Sequence, residues 1–73
     1  MENDIKKKIN EELQKHFKGN AQIDQFKDDN SFSYAVKKGN KFPVYKVTYT
    51  NDQQGLKIDW ENATSIFPFG YPL

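Results

Sequence analysis

Residues 4–26, DIKKKINEELQKHFKGNAQIDQF, change hydrophobic rhythm at Gly19. Before that glycine, Ile5, Ile9, Leu13, His16 and Phe17 recur at helical spacing and fall on one stripe of a helix that turns about 100° per residue. Lys7, Glu11, Gln14, Lys15 and Lys18 occupy the opposite side, with Glu11 and Lys15 in the favourable i,i+4 order worth about 0.2–0.5 kcal/mol. Asn3 or Asp4 is placed to cap the start, and Gly19-Asn20 offers the left-handed residue on which helices end. After Gly19 the apolar residues alternate, and Ala21 with Ile23 opens a strand predicted to end near Phe26. A helix of this length is marginal alone in water, so its stripe must be buried against the strands that follow.

Working outward, Asp28-Asp29-Asn30 predicts a turn, because these short side chains bond their own backbone. Phe32, Tyr34 and Val36 then alternate with Ser31, Ser33 and Ala35, the pattern of a half-buried strand, and Lys38-Gly39-Asn40 closes a hairpin. The third strand, about residues 41–50, carries apolar bulk at both parities: Phe42 and Val44 on one, Tyr45, Val47 and Tyr49 on the other. Either a bulge between Val44 and Tyr45 shifts its register, or the strand is covered on both faces. Pro43 lacks an N–H and belongs at an edge or a bulge. Beyond a turn at residues 51–55, Leu56, Ile58 and Trp60 alternate with Lys57, Asp59 and Glu61 as a fourth strand. Residues 61–73 combine Ile66, Phe67, Phe69 and Tyr71 with Pro68, Gly70 and Pro72, too broken for regular structure and too apolar for a solvated tail.

The expected architecture is therefore a single α+β domain over residues 1–73. An N-terminal amphipathic helix packs on a four-stranded antiparallel β-meander, and an irregular apolar C-terminal tail folds over the sheet, across the helix or onto a partner. This order of elements resembles that of cystatin-like and PepSY-type small domains, in which a helix precedes an antiparallel meander. The likeness lies in element order, and no site residue is carried over from it.

Composition narrows the function classes. At 73 residues the chain has room for one core, which in so small a scaffold rarely supplies more than about 3–5 kcal/mol. Cysteine is absent and His16 is the only histidine, so neither a disulfide nor a structural zinc site is expected to reinforce it. Eleven aromatic residues offer dense packing or self-association instead. All eleven basic residues are lysine and the formal charge is +1, which disfavours base-specific nucleic-acid reading, where the forked guanidinium is preferred. No apolar stretch opens the chain and no run approaches the roughly 18 residues of a membrane span, which predicts a cytoplasmic protein without membrane association. The Lys, Asn, Ile, Phe and Tyr bias is what AT-rich coding DNA of a low-GC bacterium or its phage would give.

Catalytic signatures are thin. His16 sits in the helix stripe as an amphipathic rim residue, and Ser31, Ser33 and Ser65 have no second histidine or glycine elbow to activate them. Asp28-Asp29 and Asp59/Glu61 are the candidate carboxylate pairs for acid/base work; the first is expected in a turn for backbone reasons, and the second would share the polar, solvated face of the fourth strand. The isolated glycines form no phosphate loop, so no cofactor and no metal is expected. What remains is a non-catalytic protein-binding module of inhibitor, immunity or accessory type, acting on a protein partner or its own copy as a homodimer. Its candidate contact residues are Tyr45, Tyr49, Phe67, Phe69 and Tyr71, since aromatic residues are enriched at interface centres. The rival reading is a single-stranded nucleic-acid binder, with Tyr45 and Tyr49 as stacking platforms among Lys37, Lys38, Lys41 and Lys46. A weaker one is a carboxylate-dependent enzyme.

Overall fold

The computed structural model describes residues 2–71 and places the change from helix to sheet at the expected glycine. Helix α1 spans Glu2–Phe17. It begins ahead of Asn3 and Asp4, so these lie inside the first turn, not at the cap, where the Asp4 carboxylate complements the positive end of the helix dipole. At the other end Lys18 and Gly19 take φ values of 55° and 82°, and the Gly19 N–H donates to the Gln14 carbonyl at 3.0 Å. The helix's ion pair joins Lys15 to Glu12 at 3.9 Å, not to Glu11. Being exposed, it adds little to stability.

Five strands follow: β1 (Ala21–Phe26), β2 (Ser31–Val36), β3 (Val44–Asp52), β4 (Gly55–Ile58) and β5 (Thr64–Phe67). The first four form the antiparallel meander in sequential order, and β5 also pairs with β3. β4 takes the C-terminal half of β3, with Tyr49 opposite Ile58, and β5 takes the N-terminal half, with Lys46 opposite Thr64. Both run antiparallel to β3, and the Asp59 N–H donates to the Thr48 carbonyl between them at 3.0 Å. In effect β4 and β5 are one edge strand interrupted by a 3-10 turn over Trp60–Asn62. Trp60 therefore opens the turn, where alternation alone placed it in the fourth strand, and part of the tail is regular strand. Leu73 and Pro72 lie outside the described residues.

The interruption swings Trp60 into the helix–sheet interior. Its indole stacks on His16, with ring centroids 4.3 Å apart and planes at 9°, and meets Phe17 and Tyr34 edge-on at 5.6 and 5.5 Å. Beneath α1, Ile9 and Leu13 lie fully buried against Phe32, Tyr34, Val36 and Val47. Cross-strand register places these side chains on one face, since Phe32 stands opposite Val47 and Tyr34 opposite Tyr45.

β3 runs without a break against β2, so its two parities face two different environments. Tyr45, Val47 and Tyr49 face the helix. Val44 faces the other way, fully buried and opposite Phe67 of β5. A register shift does occur between Val44 and Tyr45, but only toward β5, where Ile66 is the extra residue. Pro43 precedes the strand, where its missing N–H costs no ladder bond, and its carbonyl accepts the Val36 N–H at 3.0 Å.

If Ile9 and Leu13 close the core, Leu13→Ala should cost about 2–5 kcal/mol in urea unfolding. Ile66→Ala, at a position 39% exposed, should stay within about 0.5 kcal/mol. Equal losses would contradict this assignment of the core.

Candidate functional site

The sheet face turned away from α1 is where the fold leaves something open. Ala35 is a short side chain flanked in register by Gln22 on β1 and Val44 on β3, so the surface dips there. Phe42 and Tyr71 stand at the border of that dip, and the resulting groove has a volume of about 520 Å³. Its long side is residues 19–24, the N-terminal half of β1 with its lead-in, and Lys37 also lines it.

Tyr71 is held at the rim by the way the tail is seated. Gly70 has φ +98°, a conformation closed to other residues without strain, and a Cβ there would lie 3.1 Å from the Phe42 carbonyl oxygen. Its N–H donates to the Phe67 carbonyl at 3.1 Å, and the Phe67 and Tyr71 rings meet at 4.8 Å. From there the Tyr71 hydroxyl donates to Oδ2 of Asp24. The same carboxylate oxygen accepts the Ser33 hydroxyl at 2.8 Å, and Ser33 Oγ accepts the Gln25 N–H at 3.2 Å. This chain of bonds exists because β1 shifts register between Ile23 and Gln25. Asp24 is the inserted residue, and the buried Ser33 hydroxyl takes up the displaced Gln25 N–H.

Accepting that bond, the Asp24 carboxylate raises the Tyr71 hydroxyl above its ordinary pKa of 10.0. Burial pushes Tyr34 up to about 12, with Tyr45 adding to the shift. At the opposite end of the sheet, the Ser31 hydroxyl bonded to Asp29, helped by the Lys46 ammonium 3.4 Å away, holds the Asp29 carboxyl below its ordinary value. Every buried side-chain polar atom among the described residues has a partner.

The groove lies at a basic end of the molecule. Lys18 leads into β1, while Lys37, Lys38 and Lys41 belong to the turn after β2, where Lys38 and Lys41 bridge. The Lys41 ammonium lies 4.5 Å from the Phe69 ring centroid, and Lys38 Nζ donates to the Tyr45 hydroxyl at 3.2 Å. Asp24 is the carboxylate at this groove, and two hydroxyls already bond it. Around this end Phe42, Phe69 and Tyr71 are 52%, 74% and 51% exposed. The other eight aromatic residues are buried or half-buried.

The five residues singled out from the sequence divide between the two faces. Tyr45 and Tyr49 are half-buried on the helix side, at 5.7 Å from Tyr34 and 6.0 Å from Phe32 respectively. Phe67, Phe69 and Tyr71 belong to the tail on the other face, with Phe67 half-buried behind the two exposed rings. Phe42, Asp24 and Ala35 also line the groove and were not among the candidates, while Lys37, which lines it too, figured only in the nucleic-acid reading beside Tyr45 and Tyr49. Phe42 was detectable through the parity it shares with Val44, whereas Asp24 gains its role from a partner 47 residues away. Asp59 and Glu61 do not form a strand pair, because the 3-10 turn intervenes; both Asp59 oxygens accept the Asn62 amide, at 3.1 and 2.9 Å. Among the described residues no three metal-liganding side chains cluster, and no helix is long and apolar enough to cross a membrane.

Comparison with known proteins finds no matching family model and no significant match to a curated protein or a solved structure.

The Tyr71 bond sets a pH dependence for the tail. The contact needs the protonated phenol, so it is complete below pH 10.0 and is lost as pH rises through the higher value of the folded protein. Tyrosinate absorbance titrations of the native protein and Tyr71→Phe should differ by one component titrating above the ordinary range. Gly70→Ala, which unseats the tail, should move that component back to the ordinary range. A Tyr71 component already at its ordinary value in the native protein would contradict the bond.

Proposed function

We propose that this chain is a small non-catalytic protein-binding module whose docking end is the basic, aromatic-rimmed groove, and that its partner presents an acidic surface there. The observation that carries this reading is that two of the three exposed aromatic rings, Phe42 and Tyr71, line one groove while the third, Phe69, lies beside them in the chain against Lys41, on a protein that covers all its other rings. Large exposed apolar groups rimmed by polar residues mark interaction sites, and aromatic side chains are enriched at interface centres.

Charge selects the kind of partner. A symmetric dimer sets the same patch against itself, which here would bring Lys37 and Lys41 against the same lysines of the copy. An acidic partner meets no such repulsion, and the lysines would steer its approach. Inhibitor, immunity and accessory proteins act in this way, by occupying a partner's surface without chemistry of their own.

A photo-crosslinking amino acid placed at Phe69 tests the proposal in cells, with the same group at exposed Thr50 as control. The expected result is a discrete protein adduct at position 69 and none at position 50, weakened by Lys37→Glu. Phe69→Ala should lower affinity for the captured protein by about tenfold or more. An adduct with nucleic acid, an adduct with the chain's own copy, or no adduct at position 69 would each contradict it.

A further inference from the structure

Building on the docking end proposed above, we infer that the partner binds as an extended acidic strand added to the edge of β1 beside the groove. The backbone geometry supplies the reason. Val36 donates its N–H to Pro43 on the β3 side and not to β1, and the Lys37 N–H donates to the Asn20 carbonyl at 2.7 Å. In an antiparallel ladder hydrogen-bonded and non-hydrogen-bonded pairs alternate. The pairs Ala21 with Val36 and Ile23 with Tyr34 are thus of the non-hydrogen-bonded kind. Ala21 and Ile23 consequently turn their N–H and C=O groups outward, along the free edge of the sheet.

Gln14 confirms the direction. Its Nε2 reaches from α1 to donate to the Ala21 carbonyl at 2.9 Å, while Asn10 Oδ1 holds the same amide at 3.1 Å. The side-chain amide occupies one lone pair of that carbonyl from the helix side and leaves the second lone pair and the Ile23 groups free.

The sheet's two edges differ in their capacity for such pairing. On the far edge the 3-10 turn over Trp60–Asn62 separates β4 from β5, and Pro68 follows at once, devices that blunt an edge. On β1 the inserted Asp24 interrupts regular pairing past Ile23. What stays open is the short run from Asn20 to Ile23, and this is the run that lines the groove. A strand laid there gains main-chain hydrogen bonds from β1, sets alternate side chains against Phe42 and Tyr71, and brings its acidic residues to Lys18 and Lys37. A second copy of this chain fits less well, since its own β1 carries Asp24 as its single charge and would bring the same lysines with it.

The test uses short synthetic peptides alternating glutamate with valine and phenylalanine, titrated into the isotope-labelled full chain and followed by amide NMR. Binding by strand addition shifts the Ala21 and Ile23 amides and slows their hydrogen exchange by about tenfold or more. Methylating alternate peptide nitrogens should weaken binding by about tenfold. Lysine in place of glutamate should weaken it too, and Lys37→Glu should reverse that preference. Shifts confined to Phe42, Phe69 and Tyr71, insensitive to N-methylation, would overturn strand addition while leaving the docking end intact. Response only to a short oligothymidylate, concentration-dependent self-association through β1, or no response to the glutamate peptide at either place would overturn both.

Discussion

One helix cannot cover two faces of a sheet. In this protein α1 closes a single face, where Ile9 and Leu13 are buried on Phe32, Tyr34, Val36 and Val47, and every other feature follows from what that leaves over. The stripe is apolar on one side only, so the helix has nothing to offer a second layer. The strands nonetheless carry Ala35, Val44 and Phe67 on the far side, and the chain covers them with its own tail. Coverage is partial because the tail is short and broken by Pro68 and Gly70. The groove over Ala35 and the exposed rings around it are the remainder.

The tail is fastened through polar chemistry because little apolar area is available to hold it. Asp24 receives the hydroxyls of Ser33 and Tyr71, which ties the bulge in β1 to the last described residue of the chain. A bond to an ionised acceptor is roughly twice as strong as a neutral one, a useful property where packing is thin. The bulge also ends regular pairing along β1, which limits the open edge to a few residues and guards against indiscriminate sheet extension. Structure at this edge and chemistry at the groove therefore share one residue.

Much of the fold was legible in the sequence because it rests on local rhythm. Helical spacing up to Phe17, alternation after Gly19 and the short polar turns each depend on neighbouring residues, and the helix and the meander followed from them; the two apolar parities of β3 left a bulge or two-sided cover open, and the fold uses two-sided cover, with the extra residue, Ile66, in β5. The interrupted edge strand was not legible, because Trp60 keeps the parity of Leu56 and Ile58 while leaving the strand, and nothing local distinguishes the two. Its place is decided by the stacking on His16 and the edge-on contact with Tyr34. Of the candidate site, the tail rings Phe69 and Tyr71 were visible as an apolar excess. The groove was not, since it is made by a short residue between longer neighbours on adjacent strands, and Tyr45 and Tyr49 were absorbed by the helix face.

The account depends on the far face being open in the free protein, and a soluble paramagnetic probe reads that directly. Side-chain protons of Phe42, Phe69 and Tyr71 should broaden strongly at probe concentrations that leave Phe32 and Tyr34 sharp, with Phe67 between the two groups. Protection of Phe42, Phe69 and Tyr71 comparable to that of Phe32 would show that something already covers this face, and would contradict the account.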